Sequence, residues 1–153
     1  MRPMDLPCPR FMFLIFVFLT LHPSGIAQAA QKKDNASEIM EWREAFGGLP
    51  ESGQYVIRDS ETWKNIWLRV RDSEIPIVDF EKKMVLAAFL GVRSTGGYSV
   101  KIEGIGKRKN KIVVAVREAK PPKNAMVIQA ITSPYHIKVV DRSALPVEFK
   151  IVK

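Results

Sequence analysis

The sequence predicts a mainly β fold of the α+β class: an antiparallel β-sheet sandwich or half-open barrel with one packed amphipathic helix. Several segments alternate apolar and polar residues with the period of two that strands have. One segment has the helical period of 3.6 instead, and the connections between the segments are short. Short connections favour antiparallel hairpins, because a parallel pair needs a crossover of about a dozen residues or more.

The helical segment is DSETWKNIWLRVRD, residues 59–72. Asp59 or Ser60 is placed to cap its first turn, because either side chain can accept a hydrogen bond from a free backbone N–H. We expect its apolar face to cover the sheet, with core packing rather than ligand stacking as the role of the tryptophans. The residues of that face recur at i, i+3, i+4 and i+7: Trp63, Ile66, Trp67 and Val70.

Strand patterns lie on both sides of the helix. The segment MEWREAF (40–46) fits a strand or one helical turn, and QYVIRD (54–59) has strand composition. The apolar run MVLAAFLGV (84–92) is typical of a central strand that is covered on both faces. Four later segments each place three residues on one strand face: Tyr98, Val100 and Ile102; Ile112, Val114 and Val116; Tyr135, Ile137 and Val139; Val147, Phe149 and Ile151.

The start of the chain has the pattern of a cleaved export signal. Arg2 and Arg10 precede the uncharged apolar run FMFLIFVFLTL (11–21). The small residues Ala27 and Ala29 follow it with the spacing of a signal-peptidase site. A membrane-spanning helix needs about 20 apolar residues, and this run has eleven. We therefore expect cleavage near Ala29, with an uncleaved anchor as the alternative.

Cleavage would divide the chain into a signal (1–29), a flexible N-terminus (30–38) and a single β-rich domain (39–153). The only cysteine, Cys8, leaves with the signal, so we expect no disulfide and no cysteine metal site in the mature chain. Cys8 also precedes the apolar run, whereas a lipidated cysteine would follow it. The expected product is exported, periplasmic or secreted, and is not a lipoprotein.

The chain is basic, with a formal net charge of +8 at pH 7. Removing the signal removes two Arg and one Asp, which leaves 22 basic against 15 acidic residues and a charge of +7. Such a charge attracts anionic lipid, polysaccharide or an acidic protein. We expect no nucleic acid partner for an exported protein with scattered cations. The densest basic cluster, at 107–111, lies where a hairpin should turn, so a solvated tip is expected, with weak anionic-surface contact through Lys107, Arg108 and Lys109 as the alternative.

The sequence STGGYSV (94–100) holds two adjacent glycines before a tyrosine. A three-residue hairpin loop, Thr95 to Gly97, keeps the apolar sets in register, and it requires a left-handed residue that Gly97 supplies. Gly96 has no such structural demand. We expect Gly96 to leave bare backbone beside Tyr98 for a partner to approach, so that Gly96→Val changes stability by no more than about 1 kcal/mol. The alternative is that Tyr98 caps the rim of the core and Gly96 only loosens the turn.

Pro134 interrupts the apolar segment MVIQAITSPYHIKVV, and a central strand does not tolerate the loss of a backbone donor there. We therefore expect a bulge or a break at Ser133-Pro134. The inward-facing set before the break is expected at even positions, Met126, Ile128 and Ala130, and after it at odd positions.

An ordered set of motifs resembles the C-terminal domain family of PrcB over about residues 54–152. That resemblance implies an extracytoplasmic, non-catalytic domain, and in the family's namesake a subunit of a surface protease complex. The namesake has a lipidated cysteine after its signal, and this chain has none. A fainter similarity links TGGY to the TTGY loop of chagasin-type cysteine protease inhibitors. The motifs are Trp63 and Trp67, PIVDF (76–80), Gly91, TGGY (95–98), Pro121 or Pro122, and SPY (133–135).

Residues for catalysis are few. His136 is the only histidine after the signal, and its strand position predicts that it faces solvent, opposite to the core set. The sequence contains no zinc-protease, nucleophile-elbow, Walker or dinucleotide motif. Asp79 is expected to fix a turn through a backbone hydrogen bond. We therefore expect no enzyme activity, no cofactor and no metal site.

The function predicted from these observations is that of an exported protein-interaction module, an accessory subunit of or binder to an envelope or surface protease. The alternative is a chagasin-like protease inhibitor that uses the same loop. The 119–125 loop is expected beside the glycine loop. The residues predicted to bind the partner are Thr95, Gly96, Gly97, Tyr98, Pro122, Pro134 and Tyr135.

Overall fold

A computed structural model describes residues 40–152, so the predicted signal and flexible N-terminus lie outside the described residues. In the described part the fold is mostly β with one helix, as predicted, and the segment 40–46 contributes a strand rather than a helical turn. The elements in chain order are β1 (Glu41–Glu44), β2 (Gly53–Ile57), α1 (Ser60–Val70), β3 (Lys83–Phe89), β4 (Ser99–Arg108), β5 (Lys111–Ala119), β6 (Tyr135–Asp141) and β7 (Val147–Val152).

The strands form two sheets. The first has the order β1-β6-β3-β2 and is antiparallel throughout. The second has the order β4-β5-β7, in which β4 and β5 form an antiparallel hairpin and β7 runs parallel to β5. The parallel pair of β5 with β7 is the exception to the predicted, mostly antiparallel pairing. The chain between β5 and β7 passes through β6 in the other sheet, and this long path allows the crossover that a parallel pair needs.

Strand β3 is covered on both faces, as its continuous apolar sequence predicts. Val85, Ala87 and Phe89 face one hydrophobic core, which the helix closes. The other residues of the strand, Met84, Leu86 and Ala88, face a second core, which the second sheet closes. The described residues therefore form three layers: the helix, the first sheet and the second sheet.

The helix begins at the Asp59 cap, whose carboxylate accepts a hydrogen bond from the Thr62 N–H at 2.7 Å. The predicted apolar face is confirmed, since Trp63, Ile66, Trp67 and Val70 are all buried. The Trp63 indole donates to the Pro76 carbonyl at 2.9 Å, so its one polar atom is satisfied inside the core. The tryptophans thus pack the helix onto the first sheet. No helix among residues 40–152 is long and apolar enough to cross a membrane.

The predicted hairpin between β3 and β4 is wrong. The two strands lie in different sheets, and residues 90–98 cross from one sheet to the other. Both edges of β3 are occupied, one by β2 and one by β6, so no edge is left for β4. Leu90, Val100 and Ile102 lie in a core that the two sheets share, whereas Val92 is exposed.

The predicted break at Pro134 is confirmed, because β6 begins at the next residue, Tyr135. The predicted inward set before the break is wrong. Met126 and Ile128 are exposed, and residues 125–130 belong to no strand. Without a neighbouring strand on each side, the alternation of this segment does not have to match a core face.

His136 was predicted to face solvent, and this is also wrong: the side chain is fully buried, with 0% exposure. It lies on an inner strand and points into the layer between the sheets. Its Nδ1 accepts the Ile102 N–H of β4 at 2.6 Å, so the ring proton is on Nε2, which donates to Glu41 Oε1 at 2.7 Å. His136 therefore joins the two sheets through hydrogen bonds and contributes to the fold.

Candidate functional site

The glycine loop lies against the segment that precedes β6. Arg93 and Thr132 exchange backbone hydrogen bonds at 2.8 and 2.9 Å, and the Gly96 N–H donates to the Ile128 carbonyl at 2.9 Å. The Thr132 hydroxyl donates to the Thr95 carbonyl at 2.9 Å. The two segments are thus tied together along their length. We call the residues 92–98 and 120–131 the glycine-loop surface.

Gly96 is buried beneath this surface, not open to a partner. A Cβ atom at Gly96 would lie 2.5 Å from Cγ1 of Ile128, closer than real atoms approach. The expectation that Gly96 leaves bare backbone exposed is therefore wrong. The glycine is needed so that the Ile128 side chain can lie across the loop, a packing demand that comes from a residue 32 positions along the chain and so leaves no mark in the local sequence.

Gly97 is exposed and has φ +84°, so the predicted left-handed residue is confirmed. A Cβ atom here would lie 2.8 Å from Cβ of Pro121 and 3.0 Å from Cγ1 of Val127. The loop after β5 therefore packs directly beside the glycine loop, as expected for the 119–125 segment. Gly97 lets the two loops approach this closely.

Tyr98 is half-buried and packs against the core between the sheets. The Arg93 guanidinium lies 5.7 Å from the centre of the Tyr98 ring, within the range of a cation–π contact. The exposed side of Tyr98 borders a cleft of about 260 Å³ that β1 closes from the other side. One side of Tyr98 thus packs on the core and the other side is accessible. Both predicted roles, a cap on the rim of the core and a contact for a partner, are compatible with this position.

Two of the predicted partner-binding residues, Pro134 and Tyr135, are buried instead. The Tyr135 ring stacks on Phe89 with 6.1 Å between centroids, inside the core that the helix closes. Burial raises the pKa of its phenol above the usual value. Both residues therefore shape the start of β6 and cannot contact a partner directly. Thr95, Gly97, Tyr98 and Pro122 remain wholly or partly accessible.

Four apolar side chains of the glycine-loop surface are exposed, and we call Val92, Met126, Ile128 and Ile131 the apolar patch. The sequence predicts that Met126 and Ile128 face inward, and it does not single out the other two. The sequence signal for Met126, Ile128 and Ile131 is the apolar run MVIQAI (126–131), which lies shortly before the strand-breaking Pro134. An apolar segment that forms no strand does not have to turn its side chains toward a core, so they can remain exposed. Their exposures are 101% for Met126, 72% for Ile131, 59% for Ile128 and 48% for Val92.

The two titratable residues singled out from the sequence, Asp79 and His136, both form hydrogen bonds within the fold. Among residues 40–152 no group of three or more His, Cys, Asp or Glu side chains is placed to hold a metal ion. Asp79 accepts the Glu81 N–H at 3.1 Å, which confirms its predicted turn role, and its hydrogen bond with Lys82 lowers the pKa of its carboxyl. Both ring nitrogens of His136 are engaged within the fold.

The family model described as PrcB C-terminal matches residues 84–141. Over these residues the chain is similar to the PrcB C-terminal family. The match runs from β3 to the end of β6, so the matched segment includes the entire glycine-loop surface. It is shorter than the resemblance at 54–152 suggested, and the tryptophan-bearing helix precedes it. No curated protein and no solved structure matches the chain.

The match suggests a protease-complex-associated domain. The conspicuous surface within the matched segment is the glycine-loop surface with its apolar patch. The geometry therefore indicates this surface as the candidate functional site.

Proposed function

We propose that this protein is an exported, non-catalytic interaction module that binds an envelope or secreted protein, with a protease as the partner. Binding occurs through the glycine-loop surface. Thr95, Gly97, Tyr98 and Pro122 contribute the polar and backbone contacts, and the apolar patch contributes the buried area. Gly96 supports this surface from beneath, whereas the buried Pro134 and Tyr135 shape the start of β6.

The observation that carries the proposal is the exposure of the apolar patch. Exposed apolar residues that occur singly are normal, but apolar side chains grouped on one surface mark a site that another molecule covers. Met126, Ile128 and Ile131 lie within six residues of one another, on a segment held against the glycine loop. Each fully buried side chain of this size contributes about 1.5–3 kcal/mol to association.

The chemistry of the described residues supports a binding role. The only histidine after the predicted signal is buried and has both ring nitrogens occupied, so it is not free to act as a general base. A binding surface needs none of this chemistry. It needs an accessible, well-fixed patch, and hydrogen bonds between the two segments fix this one.

The test is cross-linking and mass spectrometry of the partner in native envelopes, with wild type and Met126→Asp compared. Met126 is fully exposed, so we expect the variant to keep its stability within about 0.5 kcal/mol and to recover the partner at least about tenfold less well. Ile77→Asp is the matched control, because Ile77 is 93% exposed on the connection between the helix and β3. Equal partner recovery with Met126→Asp and wild type would contradict the proposal.

Gly96→Val is expected to destabilise the protein by about 1–3 kcal/mol, because overpacking of a filled site forces neighbours to shift. The valine side chain would collide with Ile128 and press apart the two segments that form the surface. This replaces the expectation from sequence that stability stays unchanged. Urea unfolding followed by circular dichroism measures the effect, with Ser94→Val in the exposed part of the same loop as the control. Equal midpoints for both variants would show that Ile128 does not constrain this position.

A chagasin-like inhibitor is the alternative, favoured by the exposed, left-handed Gly97 beside a partly exposed tyrosine. In that case the loop enters a protease active-site cleft. Titration against a panel of cysteine and serine proteases separates the two functions. Stoichiometric inhibition that Gly97→Val abolishes supports the inhibitor, and protease binding without loss of its activity supports the accessory module.

The hairpin tip between β4 and β5 provides a weaker, separate contact with anionic surfaces. Lys107, Arg108 and Lys109 are exposed, whereas Lys111 pairs with Glu148. We expect the triple change of these three residues to Gln to reduce sedimentation with anionic vesicles and to leave partner capture intact, since exposed charges act through screened, long-range attraction. Unchanged sedimentation of the triple variant would remove this contact.

A further inference from the structure

We infer that the partner contacts the glycine-loop surface through an acidic segment, in which apolar side chains are flanked by carboxylates. This inference rests on the proposed function and specifies the chemistry of the partner. It follows from the charges that surround the apolar patch and from the absence of opposite charges among the residues of the surface.

The two segments that form the surface carry charge of one sign only. Residues 92–98 and 120–131 contain three charged side chains, Arg93, Lys120 and Lys123, and all three are basic. No carboxylate occurs in either segment. The nearest acidic residue along the chain, Glu118, lies on β5 opposite Val100. The residues of the surface itself therefore carry positive charge only, and the adjacent carboxylates, Glu118 and Glu44, belong to β5 and β1.

These cations have no ion-pair partner within the described part of the chain, and neither do Arg43, Lys64 and Lys101 there. Other cations of that part do pair with carboxylates, among them Arg69 with Glu51, Arg71 with Glu44, Lys83 with Asp141, Lys111 with Glu148 and Arg117 with Glu103. The hairpin tip is the other place where adjacent cations lack partners. An unmatched basic group next to exposed apolar area suits a partner that supplies the negative charge.

The cations lie at opposite ends of the apolar patch. Lys123 lies in the turn that the hydrogen bond from Ala125 to Pro122 closes at 3.0 Å, three residues before Met126. Lys120 precedes Pro121, which packs beside Gly97. These two cations border the Met126 end of the surface.

At the other end, Arg93 directly follows Val92 and bonds to Thr132, next to Ile131. Its Nη1 donates to the Val92 carbonyl at 2.9 Å, and its guanidinium lies over the Tyr98 ring. These contacts hold the side chain in place and leave other N–H donors for a carboxylate, which a guanidinium binds in a planar, paired geometry. The surface is thus an apolar centre with the bonded Arg93 at one end and the two exposed lysines at the other.

This arrangement assigns separate roles to the two parts of the contact. The apolar patch supplies affinity through buried area, and the charges at its rim select the partner and speed its association. An acidic peptide segment matches both features at once. A basic segment would bring like charges together at both ends of the patch and would be rejected.

The test uses a displayed library of random peptides, selected on the exported protein. We expect the enriched peptides to carry two apolar residues with Asp or Glu on either side. One enriched peptide is then labelled, and its dissociation constant is measured by fluorescence anisotropy at low and high salt. Its Asp→Asn and Glu→Gln counterpart is expected to bind about tenfold more weakly at low salt, and the salt dependence should decrease with it.

Protein variants complete the test. Lys120→Gln with Lys123→Gln is expected to weaken binding of the acidic peptide about tenfold and to leave binding of its neutral counterpart unchanged. Lys64→Gln, on the exposed side of the helix, is the matched control. Two results overturn the inference: enriched peptides that lack acidic residues, or an acidic peptide that binds the Lys120/Lys123 double variant as tightly as wild type. The proposed function still stands in either case if Met126→Asp abolishes peptide binding.

Two other outcomes would overturn more than the preference for acidic segments. Peptides whose binding does not depend on Met126 overturn the inference and the proposed surface together. In the second, wild type binds phosphatidylglycerol vesicles, Met126→Asp and the double variant do not, and no peptide shows this dependence. That result would assign the surface to a membrane and overturn the inference of a protein partner.

Discussion

Replacement of Trp67 by alanine is expected to lower the free energy of unfolding by about 3–5 kcal/mol, the range for a large side chain removed from a packed core. Trp67 is 2% exposed and lies between the helix and the first sheet. Its ring is 4.9 Å from that of Trp42 and 5.0 Å from that of Trp63, so its removal breaks both of these aromatic contacts and leaves the one between Trp42 and Trp63. The indole N–H also donates to the Glu74 carbonyl at 3.1 Å, and this acceptor would lose its donor.

Urea unfolding followed by far-ultraviolet circular dichroism measures this effect. Leu68→Ala is the control, because Leu68 is the next residue of the same helix and is 52% exposed. We expect that change to cost no more than about 0.5 kcal/mol, since it removes little buried area. Comparable losses in the two variants would mean that the tryptophan face is not the contact that holds the helix on the sheet.

Replacement of His136 by leucine is expected to cost about 1–3 kcal/mol, even though leucine is the more apolar residue. The Ile102 N–H would lose its buried acceptor, the Nδ1 atom at 2.6 Å, and no leucine atom can take its place. The hydrogen bond from Nε2 to Glu41 would be lost as well. The result would be a weaker junction between the first and second sheets.

The same histidine predicts a pH dependence. Burial lowers the pKa of His136 from 6.5, and this outweighs the opposite effect of the nearby Glu41 carboxylate; Lys138 and Arg43 add to the lowering. The unfolded chain therefore takes up a proton at a higher pH than the folded chain. Stability is complete above the unfolded pKa and falls as the pH decreases from there through the folded pKa, because protonation removes the acceptor for Ile102.

Urea unfolding at about pH 7.5 and at about pH 5 tests this dependence, in a range above the normal titration of carboxylates. We expect wild type to lose stability between the two values and His136→Leu to lose much less. Glu41, whose pKa is lowered by Lys138 and His136 in spite of its desolvation, titrates below this range. Parallel pH profiles for wild type and variant would show that the histidine does not titrate in the folded protein as described.

Much of the local structure could be predicted from the sequence because it depends on neighbouring residues. The helix face at Trp63 and Trp67 follows from a period of 3.6, and the buried set at Val114 and Val116 follows from a period of two. In each case the signal and the structure lie within a few residues of each other.

The candidate site could be predicted only in part, because its form depends on contacts between distant segments. The loop itself was recognised from TGGY, but Gly96 is covered by Ile128, and the exposure of Met126 arises because its segment pairs with no strand. Tyr135 has the composition of a binding residue and the position of a core residue. Sequence composition cannot separate these roles, since the same aromatic side chain suits both.

By itself, the sequence determined the mainly β class, the single described helix with its buried face, the covered central strand and the break before Tyr135, because each is recorded in the local order of apolar and polar residues. Only the tertiary structure decided which strands pair, that β7 runs parallel to β5, that His136 is buried and that Met126 is exposed. The physical reason is competition for strand edges: once β2 and β6 occupy both edges of β3, β4 must join another sheet. That long-range choice sets which residues are covered and which surface is left for a partner.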